Sequence, residues 1–444
     1  MRVSRRALML GAGAATLGSM APVRRGLADP EIKEYRLTAK PAVVNLTGNG
    51  HSDTAVWAYE GTVPGPEIWV SQGDRVRIVV SNQFAEETTV HWHGIRVPNG
   101  MDGVPGLTQP PIRRGESFVY EFTPPDVGTF WYHPHADTLQ QLGRGLAGGL
   151  IVEEREPIAV DRDLLWFIED WRLDDGGHIA PGFGNRMEAG MSGRVGNVVS
   201  INGRVPKPVS VRAGERVRIR IVNAVLARIV GLRFEGHRPV VVAYDGQPCE
   251  PVTLESGRLV LGPAMRADLI IDMDGKQGQT YHVIDDFYRD LAYQLVDFAY
   301  GPTKPIRGHP PGVPPRLAPN PLPEPDLTTA ERHEIALEGG MMSGMGMMGG
   351  MGDAVWTING TSMTGDDQPN MPPLFTLRRG QTCVLLLRND TASWHPMHLH
   401  GHSFRVISRN GRSNARCEWR DTVLIPPRER VEIAFVADNP GSIL

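Results

Sequence analysis

Only three cysteines, Cys249, Cys383 and Cys417, occur in 444 residues, and none belongs to a Cys-x-x-Cys pair. A disulfide-built scaffold and an all-cysteine metal site are therefore excluded. The odd count leaves at least one free thiol. One bridge, such as Cys383 with Cys417, stays open, although Cys383 lies in an apolar strand pattern that suits a buried thiol. An excess of one charge is missing too. The 46 basic and 50 acidic residues are mixed along the chain to a formal net charge of −4, which argues against a nucleic-acid partner. No run approaches the ~20 apolar residues of a bilayer span, so stable membrane insertion is not expected. Long amphipathic helical periods are absent, and aromatic residues make up 7%.

What remains is rich in chain reversals: 51 glycines and 37 prolines. Between them run short alternating segments such as Arg75-Val76-Arg77-Ile78-Val79-Val80. Together these features predict an all-β fold of short strands and turns. The length exceeds what one hydrophobic core organises, so two or three domains are expected.

The first residues read Ser4-Arg5-Arg6-Ala7-Leu8-Met9, followed by a small, weakly apolar run to Ala21 and then Arg24-Arg25-Gly26-Leu27-Ala28. Residues 1–28 read as a twin-arginine export signal, cut after Ala28. The implied partner is the twin-arginine export machinery, and the implied compartment is the periplasm or the outside.

An internal repeat organises the rest. A glycine, a polar residue and a β-rich run closing on asparagine recur over 73–82, 214–223 and 380–389, with a glycine-to-asparagine spacing of nine each time. Turn residues precede each copy: Pro64-Gly65-Pro66, Ile201-Asn202-Gly203 and Ile358-Asn359-Gly360. Three copies imply three similar β-sandwich domains, with bounds near 30–155, 160–300 and 331–444. Residues 301–330 are dense in proline and read as an extended surface linker. A tract over 341–351, Met341-Met342-Ser343-Gly344-Met345-Gly346-Met347-Met348-Gly349-Gly350-Met351, interrupts the third domain. Its glycines predict a flexible loop, either without function or, since thioethers suit Cu(I), a copper-docking one.

Eight of the 14 histidines fall in three windows: His91-Trp92-His93-Gly94, Trp131-Tyr132-His133-Pro134-His135, and His395-Pro396-Met397-His398-Leu399-His400-Gly401-His402. In strand-like sequence a His-x-His pair puts both imidazoles on one face. Imidazoles with almost no carboxylate favour copper, zinc or iron over hard cations. Two windows lie in the first domain and one in the third, so convergence would make an interdomain metal cluster.

These windows, in this order and these domains, resemble three of the four copper motifs of the three-domain multicopper oxidases, the laccase-like enzymes. The resemblance spans the chain after the signal and implies three cupredoxin-like Greek-key sandwiches with copper as cofactor. It implies a type 2 copper at His91 and His398, and a type 3 pair at His93, His133, His135 and His400. It also implies one type 1 ligand, His395; His402 follows the motif without matching a ligand position. Asp102, in Met101-Asp102-Gly103-Val104-Pro105, resembles the acidic residue that assists proton delivery, but Asp-Gly is also an ordinary turn pair. The implied partners are dioxygen and a small-molecule reductant, a phenol or amine, or Cu(I).

The fourth motif of that family, His-Cys-His with a further histidine, does not occur in the 444 residues. The repeat places its expected position just past Gly441, where Ser442-Ile443-Leu444 closes the sequence. By that reading the type 1 site keeps His395 alone, the type 3 pair is two ligands short, and oxidase activity is impaired. A copper-binding or non-catalytic scaffold is the alternative.

Overall fold

Each Gly-to-Asn repeat forms the same central strand in the computed structural model: Arg75–Asn82, Arg216–Asn223 and Thr382–Asn389. Each pairs in parallel with the opening strand of its domain, Ile32–Val44, Arg162–Trp171 or Glu331–Gly339. Its other edge is antiparallel to a late strand, Ser117–Phe122, Arg266–Asp272 or Arg430–Val436. The repeat has a physical reason at both ends. Gly73, Gly214 and Gly380 turn into the strand at φ of 87°, 81° and 82°, where a Cβ would be strained. The closing asparagines are buried, and each amide donates to carbonyls of neighbouring loops: Asn82 to Glu86 and Ile112, Asn223 to Arg228 and Leu261, Asn389 to Ser393 and Ile425. Buried backbone acceptors that no strand can reach are satisfied this way.

The structure describes residues 32–48, 52–308, 311–340, 356–362 and 372–444. The export signal expected at 1–28 and the methionine tract at 341–351 lie outside them. Regular structure among the described residues is almost all strand, in three pairs of sheets. Their longest helix, Thr138–Gly143, has six residues, and no helix among them is long and apolar enough to cross a membrane. All three cysteines are free thiols, so the Cys383–Cys417 bridge left open by the sequence is not formed. Cys383 is buried in the core of the third domain.

The first and second domains share a buried seam. The strand Gly128–His133 is buried on both faces. On one face Phe130 and Tyr132 fill the first domain's core, while on the other Trp131 packs with Leu165, Phe167 and Val222 of the second domain. Buried charges cross the same seam. Asp268 accepts from Arg218 Nη2 at 2.6 Å and from Thr129 Oγ1 at 2.7 Å, and Arg220 Nη1 donates to that hydroxyl at 3.1 Å. The described residues of 301–330 contain no strand or helix. Its Asn320 donates to the carbonyl of Val127 and to Gln247 Oε1, and accepts from the Val127 amide, tying the linker to both domains.

Glu169 is buried on the strand Arg162–Trp171, and its Oε2 has no partner among the described residues. Burial, and then the charge of Asp170, push its carboxyl up to about 8 from 4.5. A folded-state value raised in this way gives stability that is full below pH ~4.5 and lost as the pH rises toward ~8, on the order of 1.4 kcal/mol per pH unit in between. Thermal melts at pH 5 and pH 8.5 test this: Glu169→Gln loses less melting temperature across the range than the parent. Equal losses would show that Glu169 is already ionised in the fold.

Candidate metal centre

The strand His91–His93 pairs antiparallel with Gly128–His133, with His91 opposite His133 and His93 opposite Trp131. A period of two sends Trp92 and Tyr132 into the first domain's core and leaves His91, His93 and His133 on the other face. In the third domain the strand His395–His398 pairs with Thr422–Ile425, with His398 opposite Thr422. The two faces meet. Ring centroids lie 3.8 Å apart for His93 and His398, 4.0 Å for His91 and His400, 5.1 Å for His135 and His400, and 5.4 Å for His91 and His133. Six imidazoles from two domains therefore form one cluster.

Hydrogen bonds fix which nitrogen five of the six rings present. The Nδ1 atoms of His91, His133 and His398 face the carbonyl oxygens of Asp102, Pro134 and Asp421 at 2.8–2.9 Å. A carbonyl accepts only, so these nitrogens carry the proton and Nε2 keeps its lone pair. His400 Nδ1 meets Asp102 Oδ2 at 2.9 Å. His93 is turned the other way: its Nε2 lies 3.2 Å from Thr422 Oγ1, which leaves Nδ1 to face inward. The Nε2 atoms of His91 and His398 and Nδ1 of His135 are buried without a partner among the described residues.

Burial lowers the pKa of His91, His93, His133 and His135, the last to about 3, and a neighbouring imidazole adds to each. Burial also lowers that of His400. Neutral rings with buried, unpartnered lone pairs are what a metal ligand requires. Anchoring each ring through its other nitrogen is the usual support of a ligating histidine. Ligand atoms of His91, His93 and His398 lie within 4.8 Å of one another, as do those of His91, Asp102 and His400. A set of six imidazoles fits copper.

Asp102 is 2% exposed. Burial pushes its carboxyl upward, but the charges and hydrogen bonds of His400 and His91 outweigh that and hold it well below the usual carboxylate range. His395 stands apart. Its ring packs edge-on against Trp356 at 4.8 Å and its Nε2 meets Thr391 Oγ1 at 2.8 Å. The thiols are engaged elsewhere: Cys417 donates to the Asn414 carbonyl, Cys249 to that of Val241, and Cys383 lies in the core. The described residues thus do not fit a type 1 site. His402 is held by the His400 carbonyl and the Asn439 amide, outside the cluster.

Three residues at the cluster carried no sequence signal. Thr422 and Asp421 sit in a segment that reads as an ordinary strand, and Arg266 comes from the second domain, which has no histidine window. Only the adjacency of opposite charges in Arg420-Asp421, just before the apolar run Val423-Leu424-Ile425, hints at a buried pair.

Family models described as multicopper oxidase match residues 42–157, 165–296 and 343–444. The multicopper oxidase MmcO of Mycobacterium tuberculosis is 30% identical over 91% of this chain and 82% of its own length. Copper resistance protein A of Escherichia coli is 28% identical over 76% of this chain and 60% of its own. The crystal structure of a multi-copper oxidase from Pseudomonas parafulva is similar at a TM-score of 0.81 and 36% identity, covering 92% of this chain and 95% of that one. With three cupredoxin-like domains matched along its length and a histidine cluster at their seam, the chain belongs to the multicopper oxidase family of oxidoreductases.

Proposed function

We propose that the chain is a copper-dependent oxidase that takes single electrons from a small reductant and passes them to dioxygen, which is reduced to water. The observation that carries this is the convergence of six imidazoles from two domains, three of which, His91, His135 and His398, keep a buried nitrogen without a partner among the described residues. His91 and His398 would hold a type 2 copper, His93, His133, His135 and His400 would contribute to a type 3 pair, and His395 would be one ligand of a type 1 site that the described residues leave incomplete. Bound copper supplies the one-electron steps between reductant and dioxygen. The chain's own residues do the rest. Asp102 Oδ2 keeps the proton of His400 on Nδ1. Asp102 Oδ1, 3.2 Å from His91 Nδ1 and without a hydrogen-bond partner among the described residues, sets the ionised carboxylate beside two ligand rings, where it would assist proton delivery.

The reductant is a phenol, an amine or Cu(I). The methionine tract and the likeness to a protein named for copper resistance support Cu(I). The weakly apolar N-terminal run behind Arg5-Arg6 supports twin-arginine export to the periplasm, and the repeat supports domain limits near 155–160 and 300–331. The absence of a thiolate beside His395 supports impaired oxidation by a polypeptide of these 444 residues, which would then act as a copper binder. Copper per folded chain, measured after dialysis, tests the cluster. His91→Gln with His398→Gln is expected to remove most of the tightly held copper, and retention of parental copper would sink the reading.

A further inference from the structure

We propose that Arg266 of the second domain is a positioning residue for the copper cluster: through the Asp421 carboxylate it fixes His93 and His398, so a domain that contributes no ligand completes the site. The inference rests on the six imidazoles being copper ligands.

Arg266 opens the strand Arg266–Asp272 and is 0% exposed, as is Asp421 in the third domain. The guanidinium grips the carboxylate with both prongs, Nη1 to Oδ1 at 2.7 Å and Nη2 to Oδ2 at 2.5 Å. Its Nε donates to the carbonyl of Thr129 in the first domain at 3.3 Å, and its backbone amide donates to Asp245 at 2.8 Å. One side chain therefore touches all three domains. Asp421 in turn faces both rings that stack at 3.8 Å. Its Oδ1 lies 3.5 Å from His93 Nε2 and 3.5 Å from His398 Nδ1, and its backbone carbonyl accepts from His398 Nδ1 at 2.8 Å. Thr422 Oγ1 donates to Oδ1 at 2.8 Å while lying 3.2 Å from His93 Nε2 and 3.1 Å from His398 Nδ1. Asp421 Oδ1 and Thr422 Oγ1, the two side-chain atoms beside both rings, are thus held directly or through one hydrogen bond by the fork from Arg266.

A second observation points the same way. Gly94, which closes the His91-Trp92-His93-Gly94 window, has φ of 87°, and a Cβ there would lie 2.1 Å from Arg266 Nη2 and 2.5 Å from Asp421 Oδ2. The ligand strand approaches the ion pair so closely that only glycine fits. The pair is therefore built into the ligand loop itself. A bidentate, charge-assisted grip is the strongest orientation a protein offers a carboxylate, and partners of metal-bound histidines typically change metal affinity by roughly 10–100-fold when lost.

The test is Cu(II) affinity per folded full-length chain, by competition with a chelator, together with the paramagnetic resonance signal of the bound Cu(II). Arg266→Met with Asp421→Asn removes both charges, so no ion is left buried alone. It is expected to weaken Cu(II) roughly 10–100-fold and to change the nitrogen splitting of the signal, neither of which a purely architectural role would move. If that variant does not fold, Arg266→Lys decides, because it keeps the charge but not the fork and is expected to weaken Cu(II) roughly tenfold. Affinity within about twofold of the parent in the variant that folds would overturn the proposal alone. If the parent holds no more copper than His91→Gln with His398→Gln, the cluster reading falls and this proposal with it.

Discussion

A polypeptide of these 444 residues, loaded with Cu(II), is expected to show no intense blue absorption and to consume no dioxygen with a phenol or with Cu(I). A blue site needs a cysteine thiolate beside two imidazoles, and His395 has Trp356 and Thr391 as its neighbours instead. The thiols present cannot stand in. Burial pushes those of Cys249 and Cys383 up to about 12, so neither is a thiolate near neutral pH, and Cys417 is spent on the Asn414 carbonyl. Without that centre no electron entry point joins the cluster, while weakly coloured copper at the six imidazoles remains. Extending the polypeptide past Leu444 with a His-Cys-His segment should bring colour and oxygen uptake together. Blue colour and turnover in the unextended polypeptide would show that another thiolate site exists.

Gly103→Ala is the single substitution expected to do most damage to the cluster's support. Gly103 has φ of 84°, and a Cβ would fall 1.9 Å from the Val90 carbonyl oxygen. Val90 is buried and immediately precedes His91, so neither side can yield freely. Left-handed strain of roughly 1–2 kcal/mol adds to overpacking of roughly 1–3 kcal/mol, for a loss near 3 kcal/mol. The displaced segment carries Asp102, so its contacts to His400 and His91 go with it. Melting of the metal-free chain measures the first effect and retained copper the second. Asp102→Asn, which keeps the backbone, should lower copper retention with a smaller shift in melting. Parental melting and copper in Gly103→Ala would mean that the loop relaxes without cost.

Much of this was legible because it repeats. The nine-residue Gly-to-Asn spacing is visible since each asparagine does the same work, and the paired histidines are visible since a strand's period is two. What stayed hidden depends on partners far apart in sequence. Arg216–Asn223 alternates charge and aliphatic residues, as a strand with one wet face would, yet Arg218 and Arg220 are 1% exposed because the first domain covers them. Asp421 and Arg266 meet across 155 positions, and nothing local to either marks the other. Asn320 is one polar residue in a proline-dense stretch, and only the fold shows it bonding to two domains.

Because the imidazoles that face one another belong to different domains, occupancy of the cluster and closure of the seam between the first and third domains are one equilibrium. Metal then acts as an adhesive. At a free concentration a thousandfold above its dissociation constant, a bound ion adds about 4 kcal/mol to the closed form. A chain emptied by chelation should open at this joint before either sandwich unfolds, so amide exchange on strands His91–His93 and His395–His398 would quicken while the paired cores stay protected.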